Sequence, residues 1–106
     1  MSARKIQSPA NEYLKKVAKL KQKKFRDTFR LFVTEGERSC REAANSGFFI
    51  ESVIMTEDFY ENHGHAFSDF DCIVTPDSVF KTLSDTETPQ GILAVAVIPE
   101  QKALLG

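Results

Sequence analysis

Residues 92–98 read Ile-Leu-Ala-Val-Ala-Val-Ile, and the turn sequence Thr88-Pro89-Gln90-Gly91 comes directly before them. An aliphatic run without polar alternation is typical of a strand that is buried on both faces of its sheet. Such a strand needs a layer of helices on each side of the sheet. We therefore predict a strand over residues 92–98 inside a layered α/β fold.

Three shorter runs of β-branched, aromatic or aliphatic residues precede this stretch, at residues 31–34, 50–56 and 72–74. Segments with helical spacing or helix-start signals separate the four runs. The first helix is predicted from Ser8-Pro9, where the serine can act as N-cap and proline suits the first helical position, to about Lys24. The other helices are predicted over residues 37–45, over residues 57–62 and after Thr75-Pro76.

Strands that alternate with helices of about ten residues predict the α/β class. Parallel neighbours need crossover connections, which these helices provide. We expect a three-layer α/β/α sandwich around a four-stranded sheet that is mostly parallel or mixed.

The length and composition restrict the class of protein. A chain of 106 residues has room for one domain, and 42% hydrophobic with 27% charged residues is ordinary for a globular protein. The sequence has no apolar run of the roughly 20 residues that span a bilayer and no signal-peptide core, so we expect a cytoplasmic protein without a membrane partner. Cys40 and Cys72 lie far apart and outside any C-x-x-C spacing, which predicts two reduced, buried thiols.

The net charge of −1 conceals a strong asymmetry along the chain. The first 30 residues carry ten Lys or Arg against Glu12 and Asp27, and the remaining 76 residues carry four basic against thirteen acidic residues. Within the first predicted helix, Lys16, Lys19 and Lys23 recur on a face other than the apolar one. A cationic end of this kind commonly contacts a polyanion, although a solvated lysine-rich helix has the same composition.

Several short motifs occur in a fixed order along the chain. They are Ser8 with Asn11, the lysine-rich segment 15–24 with Arg26, Phe32 with Glu35 and Gly36, Ser46 with Gly47, and Thr88 to Gly91. Over nearly the whole chain this order resembles the N-terminal substrate-binding domain of the SpoU/TrmH family of RNA 2′-O-ribose methyltransferases, of the SPOUT class. The resemblance implies a fold similar to the ribosomal L30e/L7Ae type.

The resemblance also implies a division of labour between domains. Residues 1–98 would form an RNA substrate-binding domain, and residues 99–106 would start the linker to a C-terminal catalytic domain. In the family, that knotted domain binds S-adenosylmethionine, transfers the methyl group and forms the homodimer. The 106 residues would then have no catalytic residue and no cofactor of their own, and their partner would be structured RNA, either ribosomal or transfer RNA.

Candidate RNA-binding residues fall into two groups. The first comprises Lys15, Lys16, Lys19, Lys23, Lys24, Arg26 and Arg30, and the second comprises Glu35, Gly36, Arg38 and Gln90. Basic side chains suit phosphates, and the helix that follows Gly36 has free N–H groups that suit an anion. The alternatives are that the lysines only solvate a helix, that Glu35 and Gly36 only shape a turn, and that Gln90 is architectural.

Other features carry weaker signals. Phe25 and Phe29 lie among the basic residues, where they could stack on an unpaired base. His63 and His65 lie in a polar loop without a third convergent ligand, so we predict no metal site. Two further functions stay open, namely a free-standing L7Ae-like RNA-binding or ribosome-associated protein and a protein-interaction module whose acidic body docks a partner.

Overall fold

The computed structural model describes residues 3–100, which form alternating helices and strands. The strands are β1 (Arg4–Lys5), β2 (Leu31–Glu35), β3 (Ile50–Thr56), β4 (Cys72–Thr75) and β5 (Ile92–Val97). The helices are α1 (Glu12–Lys19), α2 (Lys23–Phe29), α3 (Glu37–Asn45), α4 (Glu57–His63) and α5 (Asp77–Leu83), with a 3₁₀ turn at Gly64–Phe67. None of the helices in this part of the chain has the length and apolar character that crossing a bilayer requires.

The strands form one mixed sheet in the order β1-β4-β3-β5-β2. β1, β4 and β3 run parallel to one another, whereas β5 runs antiparallel to both of its neighbours, β3 and β2. The α/β class and the mixed sheet are confirmed. β5 thus lies inside the sheet. β2 forms one edge, and it directly follows the lysine-rich helices α1 and α2 in the chain.

The side chains of β5 alternate between two separate cores. Leu93 and Val95 join the core beneath α1 and α5, while Ile92, Ala94 and Ala96 join the core beneath α3, α4 and the 3₁₀ turn. Each of these five residues is at most 1% exposed. The predicted two-sided burial of this strand, and with it the three-layer arrangement, is confirmed.

The sheet has five strands rather than the predicted four. The additional strand, β1, is only two residues long and pairs in parallel with Ile73 and Val74 of β4. The side chains of Arg4 and Lys5 are exposed, so no apolar pattern marks this strand in the sequence. A backbone hydrogen bond from Ile6 N to Val74 O continues the pairing, and an ion pair joins Arg4 to Asp71 at 3.0 Å.

The first predicted helix is wrong in both its start and its length. Ser8 and Pro9 form a turn, in which the Ser8 hydroxyl accepts a hydrogen bond from Ala10 N, and Asn11 is the N-cap instead. The Asn11 side chain accepts a hydrogen bond from Leu14 N at 3.1 Å. The helix then stops at Lys19, and a second helix begins at Lys23 after an extended Gln22.

Two glycines, Gly47 and Gly91, both have positive φ, but only Gly91 has close neighbours. Comparing substitutions at the two positions therefore distinguishes the cost of backbone strain from the cost of a steric clash. Gly91 (φ +98°) precedes β5, and a Cβ atom there would lie 2.7 Å from the Thr56 hydroxyl oxygen. Gly47 (φ +87°) follows α3, and a Cβ atom there would meet nothing within 4 Å. A left-handed residue with a side chain costs about 1–2 kcal/mol, and forced overpacking adds a similar amount.

We therefore expect Gly91→Ala to lower the free energy of unfolding by about 1–3 kcal/mol more than Gly47→Ala does. Urea denaturation of both variants beside the wild type measures the difference. Equal losses in the two variants would contradict the packing of Gly91 against Thr56.

Candidate nucleic-acid interface

The basic helix pair, α1 with α2 and Arg30, gathers most of the first group of candidates on one surface. Lys15, Lys19, Lys23, Lys24 and Arg30 are exposed, and Lys16 is half-buried. α2 contains no buried residue, so its lysines do not depend on the core for their position. Lys15, Lys16 and Lys19 line one open depression together with Phe29.

Two aromatic rings lie among these ammonium groups. The Phe25 and Phe29 rings are nearly parallel, at an interplanar angle of 17° and a centroid separation of 6.0 Å. The Lys16 ammonium lies 5.0 Å from the Phe29 centroid, and those of Lys19 and Lys24 lie 5.3 and 5.0 Å from the Phe25 centroid. These distances are within the range of cation–π attraction. The two rings thus draw lysines of α1 and α2 together.

Arg26, also a candidate, points inward from α2. Its Nη1 donates hydrogen bonds to the carbonyl oxygens of Leu20 and Lys21, both at 2.9 Å, in the turn that joins the two helices. Lys21 is fixed as well, because its Nζ donates to Thr82 O at 3.0 Å. These contacts hold the basic helix pair together and against α5, so Arg26 has a structural role in this conformation.

Two other basic candidates have partners within the chain. Lys23 forms an exposed ion pair with Asp27 at 2.7 Å, and this hydrogen bond lowers the pKa of the Asp27 carboxyl. Arg30 adopts a left-handed conformation (φ +57°) at the end of α2 and donates from Nη2 to Pro99 O at 3.1 Å. Of the candidate lysines, Lys15, Lys16, Lys19 and Lys24 form no ion pair within residues 3–100, and the last three surround the two rings.

Three residues of the second group, Glu35, Gly36 and Gln90, lie where the end of β2 and the start of α3 meet the loop between α5 and β5. The Glu35 carboxylate accepts hydrogen bonds from the Ser84 hydroxyl at 2.7 Å and from Asp85 N at 2.6 Å. Gln90 Oε1 accepts a hydrogen bond from Glu37 N at 3.0 Å and thereby caps the start of α3. This N–H group is one of those that the sequence offered as a possible phosphate site. A Cβ atom on Gly36 (φ +92°) would lie 3.1 Å from Gln90 Oε1. The hydrogen bonds favour the architectural interpretation of Glu35, Gly36 and Gln90.

Arg38 lies on the outer face of α3, away from these internal contacts. Its guanidinium is exposed and approaches Glu42 at 3.8 Å, one helical turn away. Arg41 pairs in the same way with Glu37, and this hydrogen bond lowers the pKa of the Glu37 carboxyl. The outer face of α3 thus alternates in charge, in contrast with the lysines of α1 and α2.

Arg26 of the first group and Glu35 of the second group line the same depression. Lys21 and Arg26 line a shallow depression of about 230 Å³ together with Glu35 and Asp85. Its opposed charges and its internal hydrogen bonds make it a junction of the fold. The structure therefore divides the predicted residues into an outward basic surface and an inward scaffold.

Comparison with known proteins identifies the family of this domain. A family model described as the MRM3-like substrate binding domain matches residues 11–94. The chain belongs to this family. The matched range includes the basic helix pair, the Glu35–Gly36 turn and Gln90, and the predicted resemblance to the SpoU/TrmH methyltransferases is confirmed.

Relatives of the MRM3-like domain include a 23S rRNA (guanosine(2553)-2′-O)-methyltransferase from Bacillus subtilis, which is 30% identical over 99 residues. A solved RNA 2′-O ribose methyltransferase superposes with a TM-score of 0.79 at 29% identity over 92% of the chain. An AdoMet-bound rRNA methyltransferase from Sinorhizobium meliloti, 21% identical over 93% of the chain, shares the fold with a TM-score of 0.75. The chain spans about 40% of the length of these proteins, at 40%, 39% and 38% respectively.

The remaining candidates for chemistry lie apart from the basic surface. Cys40 and Cys72 are free and buried, as predicted, and burial raises the pKa of both thiols. His63 is exposed and packs on the Phe59 ring, with centroids 5.0 Å apart. Within residues 3–100 there is no cluster of three His, Cys, Asp or Glu side chains that could hold a metal ion.

Sequence reasoning did not single out one exposed pair of aromatic residues. Phe48 and Phe49 follow Gly47 in the loop before β3, and Phe49 is 70% exposed. Phe48 packs edge-on against Phe32 at 5.3 Å between centroids, while Phe49 contributes its carbonyl oxygen to a hydrogen bond from Val97 N. The only available signal was two aromatic residues directly after a helix-ending glycine, which is also typical of a strand start.

The contrast between Arg26 and Lys23 on α2 is testable by stability measurements. Arg26→Ala removes two hydrogen bonds from a charged donor, so we expect a loss of about 1–3 kcal/mol in the free energy of unfolding. Lys23→Ala removes only an exposed ion pair and should cost much less than Arg26→Ala does. Urea denaturation measures both, and equal losses would show that Arg26 does not fasten the helix pair.

The buried thiol of Cys40 predicts a pH dependence. Burial raises its pKa to about 12, whereas an unfolded thiol titrates near about 8.5. Between these values the folded state keeps a proton that the unfolded state has lost, so the free energy of unfolding falls as pH rises. The slope from this group approaches about 1.4 kcal/mol per pH unit well above about pH 8.5 and falls toward zero below about pH 7.5.

We expect Cys40→Ala to reduce the loss of stability between pH 8 and pH 9.5 by about 1 kcal/mol. Urea denaturation of the variant and the wild type at both pH values provides the measurement. The comparison within each protein cancels the cost of the smaller side chain, and identical losses in the two proteins would contradict the prediction.

Proposed function

We propose that this chain is the RNA-binding part of an rRNA 2′-O-ribose methyltransferase and that the basic helix pair contacts the phosphate backbone. The observation that carries this proposal is the array of exposed ammonium groups on a domain of the MRM3-like substrate binding family. Glu12 and Asp27 are the acidic residues of this segment, and Asp27 is already paired with Lys23. The surface is therefore cationic although the whole chain has a net charge of −1.

The form of the surface suits an RNA backbone. Structured RNA is recognised mostly through its shape, its phosphates and its 2′-hydroxyl groups, and lysines act as point charges toward phosphates. α1 and α2 are short and held at a fixed turn by Arg26, so their lysines are presented by rigid elements. This arrangement favours positioning of an RNA without requiring sequence readout.

The activity of the whole protein is also part of the proposal. Relatives that share this domain are named as rRNA methyltransferases, and one was solved with AdoMet bound. We infer that the whole protein transfers a methyl group from S-adenosylmethionine to a ribose 2′-hydroxyl, and that the catalytic residues lie outside the 106 residues. We also infer that it acts in the cytoplasm and as a homodimer. We place the boundary of the RNA-binding domain at residue 98, and most of the predicted linker, at residues 101–106, lies outside the described residues.

The basic surface predicts a defined salt dependence. The triple variant Lys16→Gln, Lys19→Gln and Lys24→Gln removes the three ammonium groups around the rings. If each contacts a phosphate, the slope of log K against log salt should become shallower by about 2–3, since each contact contributes about 0.7–0.9. Titration of a fragment of 23S rRNA at several salt concentrations measures this slope.

A matched control keeps the total charge equal. The variant Arg4→Gln, Lys5→Gln and Arg41→Gln removes three exposed positive charges away from the basic helix pair. β1 is the sheet edge opposite β2, and α3 covers the other face of the sheet from α1. We expect the slope of this variant to stay within about one unit of the wild type. The same slope for both triple variants would refute phosphate contacts at the basic helix pair.

A further inference from the structure

Core packing does not account for the aromatic ring of Phe25. Phe29, one turn later on α2, packs against the core beneath α1 and α5, but Phe25 belongs to neither core of residues 3–100. The Phe25 ring is only half-buried, and its neighbours are the Phe29 ring and the Lys19 and Lys24 ammonium groups. A side chain with this surrounding is better suited to binding than to folding.

A nucleobase that stacks on the Phe25 ring would compete with the Lys19 and Lys24 ammonium groups for the same ring, and the interaction energies favour the base. An exposed cation–π contact is worth about a 2- to 5-fold change in an equilibrium constant. Stacking of a base on an aromatic ring is worth about 5- to 150-fold. A base that reaches Phe25 therefore displaces the ammonium groups, which remain close enough to turn toward the phosphates that flank the base.

The surface beside the rings is also open. Phe29, Lys15, Lys16 and Lys19 line a depression of about 430 Å³, and Glu12 with Tyr13 completes its lining. The carboxylate of Glu12 disfavours a phosphate at its end of the depression, whereas an uncharged base is not repelled. The depression thus offers two separate positions, the Phe29 ring for a base and the ammonium groups of Lys15, Lys16 and Lys19 for its phosphates.

We propose that Phe25 and Phe29 form a stacking platform for an unpaired RNA base, with Lys16, Lys19 and Lys24 on the flanking phosphates. This proposal rests on the proposed RNA contact of the basic helix pair and adds the kind of RNA that it takes. Bases inside a duplex keep their faces stacked on one another, so they cannot reach the platform. The domain therefore binds at a loop, bulge or single-stranded segment.

The test combines a protein substitution with an RNA substitution. The RNA probes are a hairpin with an adenosine loop, the same hairpin with an abasic loop, and a duplex of the stem alone. The protein variants are Phe25→Leu, which keeps an apolar side chain without a ring, and Phe25→Tyr, which restores a ring. Phe49→Leu, at an exposed aromatic residue outside the basic helix pair, serves as the control.

We expect Phe25→Leu to weaken binding of the adenosine-loop hairpin by about 5- to 150-fold and to leave binding of the duplex within about 2-fold. Phe25→Tyr and Phe49→Leu should both bind the hairpin within about 3-fold of the wild type. The wild type should lose affinity when the loop is abasic, whereas Phe25→Leu should not, because the base and the ring act as one pair. The salt slope of Phe25→Leu should equal that of the wild type.

The outcomes separate this proposal from the one on which it rests. If the wild type binds the adenosine and abasic hairpins equally, no base stacks on the protein and the platform is refuted, whatever the variants do. An equal loss of hairpin and duplex binding in Phe25→Leu refutes it as well. If the triple lysine variant lowers the salt slope while Phe25→Leu has no effect, phosphate contact stands without stacking. If the triple lysine variant leaves the slope unchanged, the proposed function itself fails.

Discussion

The burial of β5 on both faces is the constraint on which the other elements depend. Its side chains enter two cores in alternation, so helices must cover the sheet on both sides. β5 pairs antiparallel with β3 on one side and with β2 on the other. β2 is therefore an edge strand of the sheet, and it begins directly after α2 and Arg30 in the chain. The turn before β5 must in addition pass close to Thr56, which only a glycine at position 91 permits without a clash. The basic helix pair is attached to this frame at its edge.

The two helices of the basic pair are attached to the fold in different ways, because α1 buries Leu14 and Val17 in the core whereas α2 is held mainly by polar contacts. α2 buries none of its residues, and Arg26 holds it through two carbonyl oxygens of the preceding turn. Phe29 is the apolar contact of α2 with the core. Exposed lysines on such an element can change without loss of core packing, whereas Arg26 and Phe29 cannot. On this helix Arg26 contributes to stability and the exposed lysines to the proposed RNA contact, whereas Phe29 takes part in both the core and the proposed stacking platform.

Local sequence patterns predicted the elements that depend on apolar periodicity. β3 and α3 have the predicted bounds, and β4 and β5 differ from the predictions by one residue each. The three strands are nearly continuous apolar runs, and the buried positions of α3 recur at helical spacing. The break between α1 and α2 was missed, since residues 20–22 contain no glycine or proline. Its cause is the contact of Arg26 with carbonyl oxygens five and six residues earlier, which no pattern of residue types records.

The same limit applied to the candidate site. The charge asymmetry indicated the basic surface correctly in outline, because α1 and α2 hold their lysines within a short stretch of chain. It did not distinguish Lys19, which faces outward, from Arg26, which faces inward. The tasks of Glu35 and Gln90 depend on partners 49 and 53 residues away in the chain, so their hydrogen bonds emerge only from the fold.

The contacts of Arg30 couple the end of β5 to the basic helix pair. Ile98 N donates to Arg30 O at 2.9 Å, and the Arg30 side chain holds Pro99 O, so the chain leaves the sheet beside the last turn of α2. A polypeptide that continues from this point starts beside α2, and hence beside the surface proposed for RNA. Tethering of this kind replaces a second encounter from solution with an intramolecular one, at an effective concentration of about millimolar for a short linker. A modest RNA affinity in this domain would then suffice to saturate a covalently attached partner domain with substrate.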